Sequence, residues 1–184
     1  MFIQTEQTPN PSALKFIPGT HLLDQPMDFP NKATAKNSPL ALRLFELQGV
    51  ETVFIGTNFI TVTKSDTIEW PFLKPSVMGT IMEHLMANQP ILKEPSTQDS
   101  PIPANDQNDS EIVKEIKELL EARVRPAVAQ DGGDIIFDRF EDGVVYLRLQ
   151  GACSGCPSSS MTLKSGIENM LRYYVPEVTE VRAV

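Results

Sequence analysis

Cysteine is scarce in this chain: two in 184 residues, Cys153 and Cys156, three positions apart. So few thiols exclude a disulfide framework, and whatever these two do, they do locally or with groups from another molecule. Long apolar runs are missing as well. Nothing approaches the roughly 18 residues that a spanning helix needs, which argues against a membrane role. The opening MFIQTEQTPNP has neither a charged-then-apolar signal pattern nor an Arg-rich transit character. The expectation is a cytoplasmic protein. Positive charge is in deficit too, with 16 Lys and Arg against 24 Asp and Glu, a net charge of -8 and a pI near 4.8. Such a chain repels phosphate backbones, and no basic stripe overrides that, so nucleic acid is not an expected partner.

What remains is the composition of an ordinary globular protein, 41% hydrophobic and 22% charged, long enough for one domain or two small ones. The stretch from Glu94 to Ser110, EPSTQDSPIPANDQNDS, has three prolines, four acidic residues, no basic residue and one large apolar side chain, Ile102. It cannot bury enough surface to offset its ordering entropy and reads as a disordered linker. As a coil it would span about 20–25 Å. The organisation is therefore a domain over 1–92, a Pro-rich acidic linker over 93–110 and a domain over 111–184.

The expected class is α/β (α+β), each domain a short mixed or antiparallel sheet packed with helices. In the first, strands near Phe2–Thr5 and Leu14–Ile17 flank the turn Thr8-Pro9-Asn10-Pro11. Ser38-Pro39 opens a helix through Leu47. Val50–Ile55 and Phe59–Thr63 form a hairpin around Gly56-Thr57-Asn58. Trp70–Ala87 is a closing helix whose regular part Pro71 and Pro75 confine to the later residues. In the second, Ser110 caps a helix carrying Ile112, Val113, Ile116, Leu119, Leu120 and Val124 at helical spacing. Pro126 perturbs its end, and Gly132-Gly133 terminates it. Ile135–Phe140 and Val144–Leu149 form a hairpin about Asp142-Gly143. Ser158 or a neighbour caps a last helix to about Tyr174, its apolar side including Met161 and Met170, and Val178–Val181 adds an edge strand.

The chemistry sits in GACSGCPSSS, residues 151–160. Two soft thiolates at this spacing can grip one soft metal centre or close a small disulfide. Gly151, Ala152, Ser154 and Gly155 are small enough for the loop to wrap an inorganic core. Gly155 can turn its N–H inward. A following helix N-terminus favours the deprotonated sulfur. Three readings compete. A structural zinc site needs four ligands, and there is neither a second CxxC nor a histidine nearby, His21 and His84 lying in the other domain. Dithiol–disulfide exchange is open, although Gly151-Ala152 replaces the aromatic usual before such a motif. Iron–sulfur clusters commonly take four cysteines, which two subunits can supply as two plus two. Asp131-Gly132-Gly133-Asp134 lacks the alternating oxygens of a calcium loop and reads as a turn.

The run GACSGCPSSSMTLKSGIENML, preceded by VRPAVAQDGGDI, closely resembles the C-terminal module of NifU-type proteins, the Nfu family. TEQTPNPSALKFIPG, SPLALRLFELQGVETVFIGTNFITVTK and the WPFLKP at Trp70 resemble that family's N-terminal domain. The resemblance covers nearly the whole chain apart from the linker. It implies a cluster scaffold or carrier rather than an enzyme, with Cys153 and Cys156 as ligands of a [4Fe-4S] cluster, one per homodimer. The spacing alone also permits [2Fe-2S]. The implied partners are an upstream cluster donor and apo iron–sulfur clients. The implied location is the bacterial cytoplasm or, for a mature form, an organellar matrix.

Overall fold

The computed structural model describes residues 2–93, 110–154 and 157–184; the expected linker over 94–109 and Cys156 lie outside the described residues. The chain forms two α+β units. The first runs β1 (Gln4–Gln7), β2 (Ala13–Ile17), β3 (Met27–Phe29), a 3-10 turn (Lys32–Asn37), α1 (Pro39–Phe45), β4 (Val50–Ile55), β5 (Ile60–Lys64) and α2 (Trp70–Met86). Its five strands lie in the order β1-β2-β5-β4-β3, every pair antiparallel. Leu14, Phe16, Val53, Ile55, Ile60 and Val62 point to one face, where Leu40 and Leu44 of α1 and Leu73, Val77 and Ile81 of α2 complete the core. Because side chains alternate along a strand, Ala13, Lys15, Phe54 and Thr61 point to the other face.

Ser38 caps α1 as expected: its Oγ accepts from the Ala41 amide at 3.2 Å and donates to the Ile91 carbonyl at 2.7 Å. α2 corrects an expectation, since it is helical from Trp70 onward. Pro71 lies in the first turn, where its missing N–H has no intrahelical partner to lose, and Pro75 removes a single i→i−4 bond from the ladder. The sequence reading missed β3 and the 3-10 turn. Both are short, and the turn depends on an Asn31–Thr34 capping box rather than on hydrophobic periodicity.

The second unit contains α3 (Glu111–Leu119), a π turn (Leu120–Val124), α4 (Arg125–Gln130), β6 (Gly133–Glu141), β7 (Val144–Gly151), α5 (Pro157–Tyr174) and β8 (Glu180–Ala183). The π turn falls just before Pro126, where a widened ladder absorbs the missing N–H. Asp142 (φ 50°) and Gly143 (φ 78°) are both left-handed, as the two-residue hairpin requires. β8 lies parallel to β7 at the sheet edge. Ile116, Leu120, Val124 and Val128 pack on Ile135, Val145 and Leu147, with Ile167 and Leu171 of α5. One expectation fails in α5: Met161 is 74% exposed rather than core. The cap was expected at Ser158 or a neighbour, and with the helix starting at Pro157, Ser158 itself lies inside it. Met170 does pack on the core. Among the described residues no helix is long and apolar enough to cross a membrane.

Candidate thiolate site

Cys153 follows β7 directly, at the junction where that strand leaves the second sheet for α5. It is 6% exposed, and its sulfur lies over Gly133, where a Cβ would come within 2.5 Å of Sγ and 2.8 Å of the Gln150 carbonyl oxygen. Gly133 pairs with Gly151 across the β6–β7 ladder. Gly151 (φ 64°) and the preceding Gly132 (φ 80°) are left-handed, a conformation open to glycine at little cost. The Ala152 amide donates to the Gly132 carbonyl at 3.1 Å, and the Ser154 amide closes a turn on Gly151 at the same distance. Two glycine turns thus form the seat of the sulfur. Asp131-Gly132 does end α4 as a turn, as the sequence suggested; what it did not reveal is that Gly133 floors the cysteine.

Beneath this seat lies an ion pair the sequence reading also missed. Arg125 of α4 forks onto Asp134, Nε to Oδ1 and Nη2 to Oδ2, both at 2.9 Å. Asp134 is buried, its Oδ1 also accepts from the Ile135 amide at 2.8 Å, and the remaining guanidinium edge meets Glu121. Hydrogen bonding to Asp134 holds the Arg125 guanidinium above its ordinary pKa, against the opposing effect of burial. A half-buried bidentate pair of this kind fixes α4 to the first residues of β6, next to Gly133. With its carboxylate already committed to arginine, Asp134 is no cation ligand.

The outer face of the first sheet covers the same turns. Glu6, Lys15, Thr61, Phe54 and Asp28 are cross-strand partners in succession, one from each strand, so they form a row across all five. Thr61 Oγ1 donates to the Gly132 carbonyl at 2.6 Å, and Lys15 Nζ donates to the Gln130 carbonyl at 3.2 Å. From the β1–β2 turn, Asn10 Nδ2 reaches the Ala152 carbonyl at 3.4 Å. The Phe54 ring backs Gly151. Burial raises the Asp28 carboxyl to about 6, and a hydrogen bond with the Gly151 backbone partly offsets the rise.

Of the two predicted ligands, then, Cys153 is placed at the heart of this arrangement and Cys156 lies outside the described residues. The histidines stand apart. His21 is exposed against Asp24 at 3.0 Å, whereas His84 is fully buried with Nε2 3.1 Å from the Pro90 carbonyl and its pKa lowered by burial. The Cys153 side chain packs with the second unit's core and against the bare backbone of Gly133, and a soft thiolate of this kind is a ligand for a soft metal centre.

Comparison with known proteins places the chain in a family. Residues 3–88 match the family described as scaffold protein Nfu/NifU N terminal, and residues 116–182 match the NifU-like domain. The human NFU1 iron-sulfur cluster scaffold homolog, a mitochondrial protein, is 50% identical over 186 residues, covering all of this chain and 72% of its own length. The mitochondrial NifU-like protein 4 of Arabidopsis thaliana is 52% identical; it aligns with 98% of this chain, which spans only 65% of it. The solution structure of a NifU-like protein from Saccharomyces cerevisiae overlaps 52% of this chain and 87% of its own at a TM-score of 0.47 and 26% identity. With both domains matched and half its residues shared with a relative along its whole length, the chain belongs to the Nfu family of iron–sulfur cluster scaffold proteins.

Proposed function

We propose that this protein carries a [4Fe-4S] cluster bridged between two copies of the chain, each contributing Cys153 and Cys156, and passes it to apo client proteins. One observation carries the reading: the chain has only two thiols, and the one described is seated on bare glycine backbone. Two thiolates cannot complete the four-cysteine set, and a second copy supplies the other two. The start of α5, immediately after Cys156, favours sulfur in its anionic form. Met161, one turn into that helix, presents an apolar side chain to solvent beside the loop, where a second copy would cover it.

Release follows from the same count. Client cysteines can replace one pair of thiolates at a time, and separation of the copies completes the transfer. The cluster is cargo supplied by a donor, so no turnover is required and the protein is not an enzyme. Relatives named as mitochondrial favour an organellar matrix as the place of work.

Anaerobic reconstitution with iron and sulfide tests the proposal. The expected product has two irons and two sulfides per chain, with the broad visible absorption of a [4Fe-4S] centre. Cys153→Ala and Cys156→Ala should each abolish it. A colourless protein that instead cycles a Cys153–Cys156 disulfide and reduces disulfide substrates would replace this reading with a dithiol oxidoreductase.

A further inference from the structure

Alternation along β2, β4 and β5 leaves Lys15, Phe54 and Thr61 on the face opposite the helices, where a five-stranded sheet of this kind ordinarily meets water. They are nevertheless buried, Thr61 to 1% exposure, and none of them belongs to the core packed beneath α1 and α2. What buries them is the second unit, with β7 packed against β4 and β5. The groups across this contact are specific in kind. Side-chain donors on Asn10, Lys15 and Thr61 meet three backbone carbonyls, those of Ala152, Gln130 and Gly132. The surface is shaped for exposed peptide backbone at two glycine turns, and those turns flank Cys153.

We propose that this outer face is a docking surface for the glycine turns that carry Cys153, so that the metal-free chain covers its own thiolate loop and must release it to share a cluster with a second copy. The second half of this statement rests on the proposed function; the first does not. The carbonyl next to Cys153 is held by Asn10 and Gly151 is backed by the Phe54 ring, so this loop, whose sulfur packs in the second unit's core, cannot face a second copy until the contact opens. The contact is suited to opening. Its hydrogen bonds run from side chains to backbone, and it has the polar character of interfaces that separate. Closed, the chain covers the loop of Cys153; open, it presents that loop and the face that had covered it.

Backbone 15N relaxation of the full, metal-free chain at neutral pH tests the docking without iron. Docked units tumble together as one 20.4 kDa body and share one rotational correlation time. Thr61→Arg, which places a bulky cation against Gly132, should split that value into two shorter ones. In a Cys156→Ser background the same change should raise the rate at which Cys153 reacts with N-ethylmaleimide about tenfold, the effect of losing roughly 1.4 kcal/mol of contact. Thr61→Ser keeps the hydroxyl and should stay within twofold of its parent. If Thr61→Arg shifts the Trp70 emission, showing damage to the first unit, the double variant Asn10→Ala/Lys15→Ala removes two donors without added bulk and takes its place. Independent tumbling of the parent chain, or unchanged relaxation and labelling in these variants, overturns the docking. Loading with iron and sulfide should also split the correlation time. A loaded chain that keeps one common value overturns the mutual exclusion, whereas a chain that fails to load at all while remaining docked overturns only the proposed function.

Discussion

Substituting Gly133 by alanine adds one methyl group at the point where the sulfur rests. The backbone there is not left-handed, so alanine is conformationally acceptable and the whole effect is steric. The new Cβ would stand 2.5 Å from Cys153 Sγ and 2.8 Å from the Gln150 carbonyl oxygen, both inside any real carbon contact. The sulfur can move only by rotating Cys153 or lifting its loop, and the carbonyl belongs to a residue held in register against Asp134 of β6. Overpacking of this kind costs about 1–3 kcal/mol. For a unit of this size that corresponds to a fall in melting temperature of roughly 4–8 °C per kcal/mol. Gly166→Ala is the control, because nothing lies within 4 Å of its Cβ position in the exposed middle of α5. That change should stabilise by up to about 1 kcal/mol through helix propensity alone. Thermal melts followed by circular dichroism, with iron incorporation measured on the same samples, give the comparison. A Gly133→Ala protein that melts with the parent and loads as much iron would refute the seat described for Cys153.

Three further outcomes are expected. Asp134→Ala strips Arg125 of its buried partner but leaves Glu121, so the loss should be about 1–3 kcal/mol in urea titrations, below the full penalty of an orphaned buried charge. Asp28, held near 6 when folded against 3.8 ordinarily, binds a proton more readily in the folded chain than in the unfolded one. Its contribution therefore weakens as pH rises from about 4 to 6, and the parent should gain on Asp28→Asn as pH falls through that window, by at most about 3 kcal/mol and less for its partial exposure. Met161→Glu, at a side chain already in solvent, should leave the melting of the metal-free chain within about 0.5 kcal/mol. If α5 meets a second copy as proposed, the same change should lower the yield of cluster-loaded dimer on gel filtration.

Much of this was readable before the fold was known, because the signals were local. β4 falls where the apolar run predicts it, Asp142-Gly143 makes the expected tight hairpin, and Ser38 and Ser110 cap the helices they precede. What escaped was non-local. Thr61 meets Gly132 from 71 residues away and Asn10 meets Ala152 from 142, and no periodicity within one strand encodes such pairs. One trace was present: Val53-Phe54-Ile55 is continuously apolar where a strand with one wet face should alternate, and Phe54 is the residue that backs Gly151. Arg125–Asp134 left no comparable trace, since nine residues and a chain reversal separate the partners. Met161 was misread for the opposite reason: its spacing suits the apolar side of α5, but it lies in the first turns, beyond the sheet that the later residues cover.

Native mass spectrometry of the anaerobically reconstituted full chain addresses the central claim most directly. The account predicts a dimer whose mass exceeds twice that of the chain by one four-iron, four-sulfide core, lost together with dimerisation when Cys153 or Cys156 is replaced by alanine. A monomer carrying a complete cluster on its own two thiols, or a dimer that forms equally well without either cysteine, would contradict it.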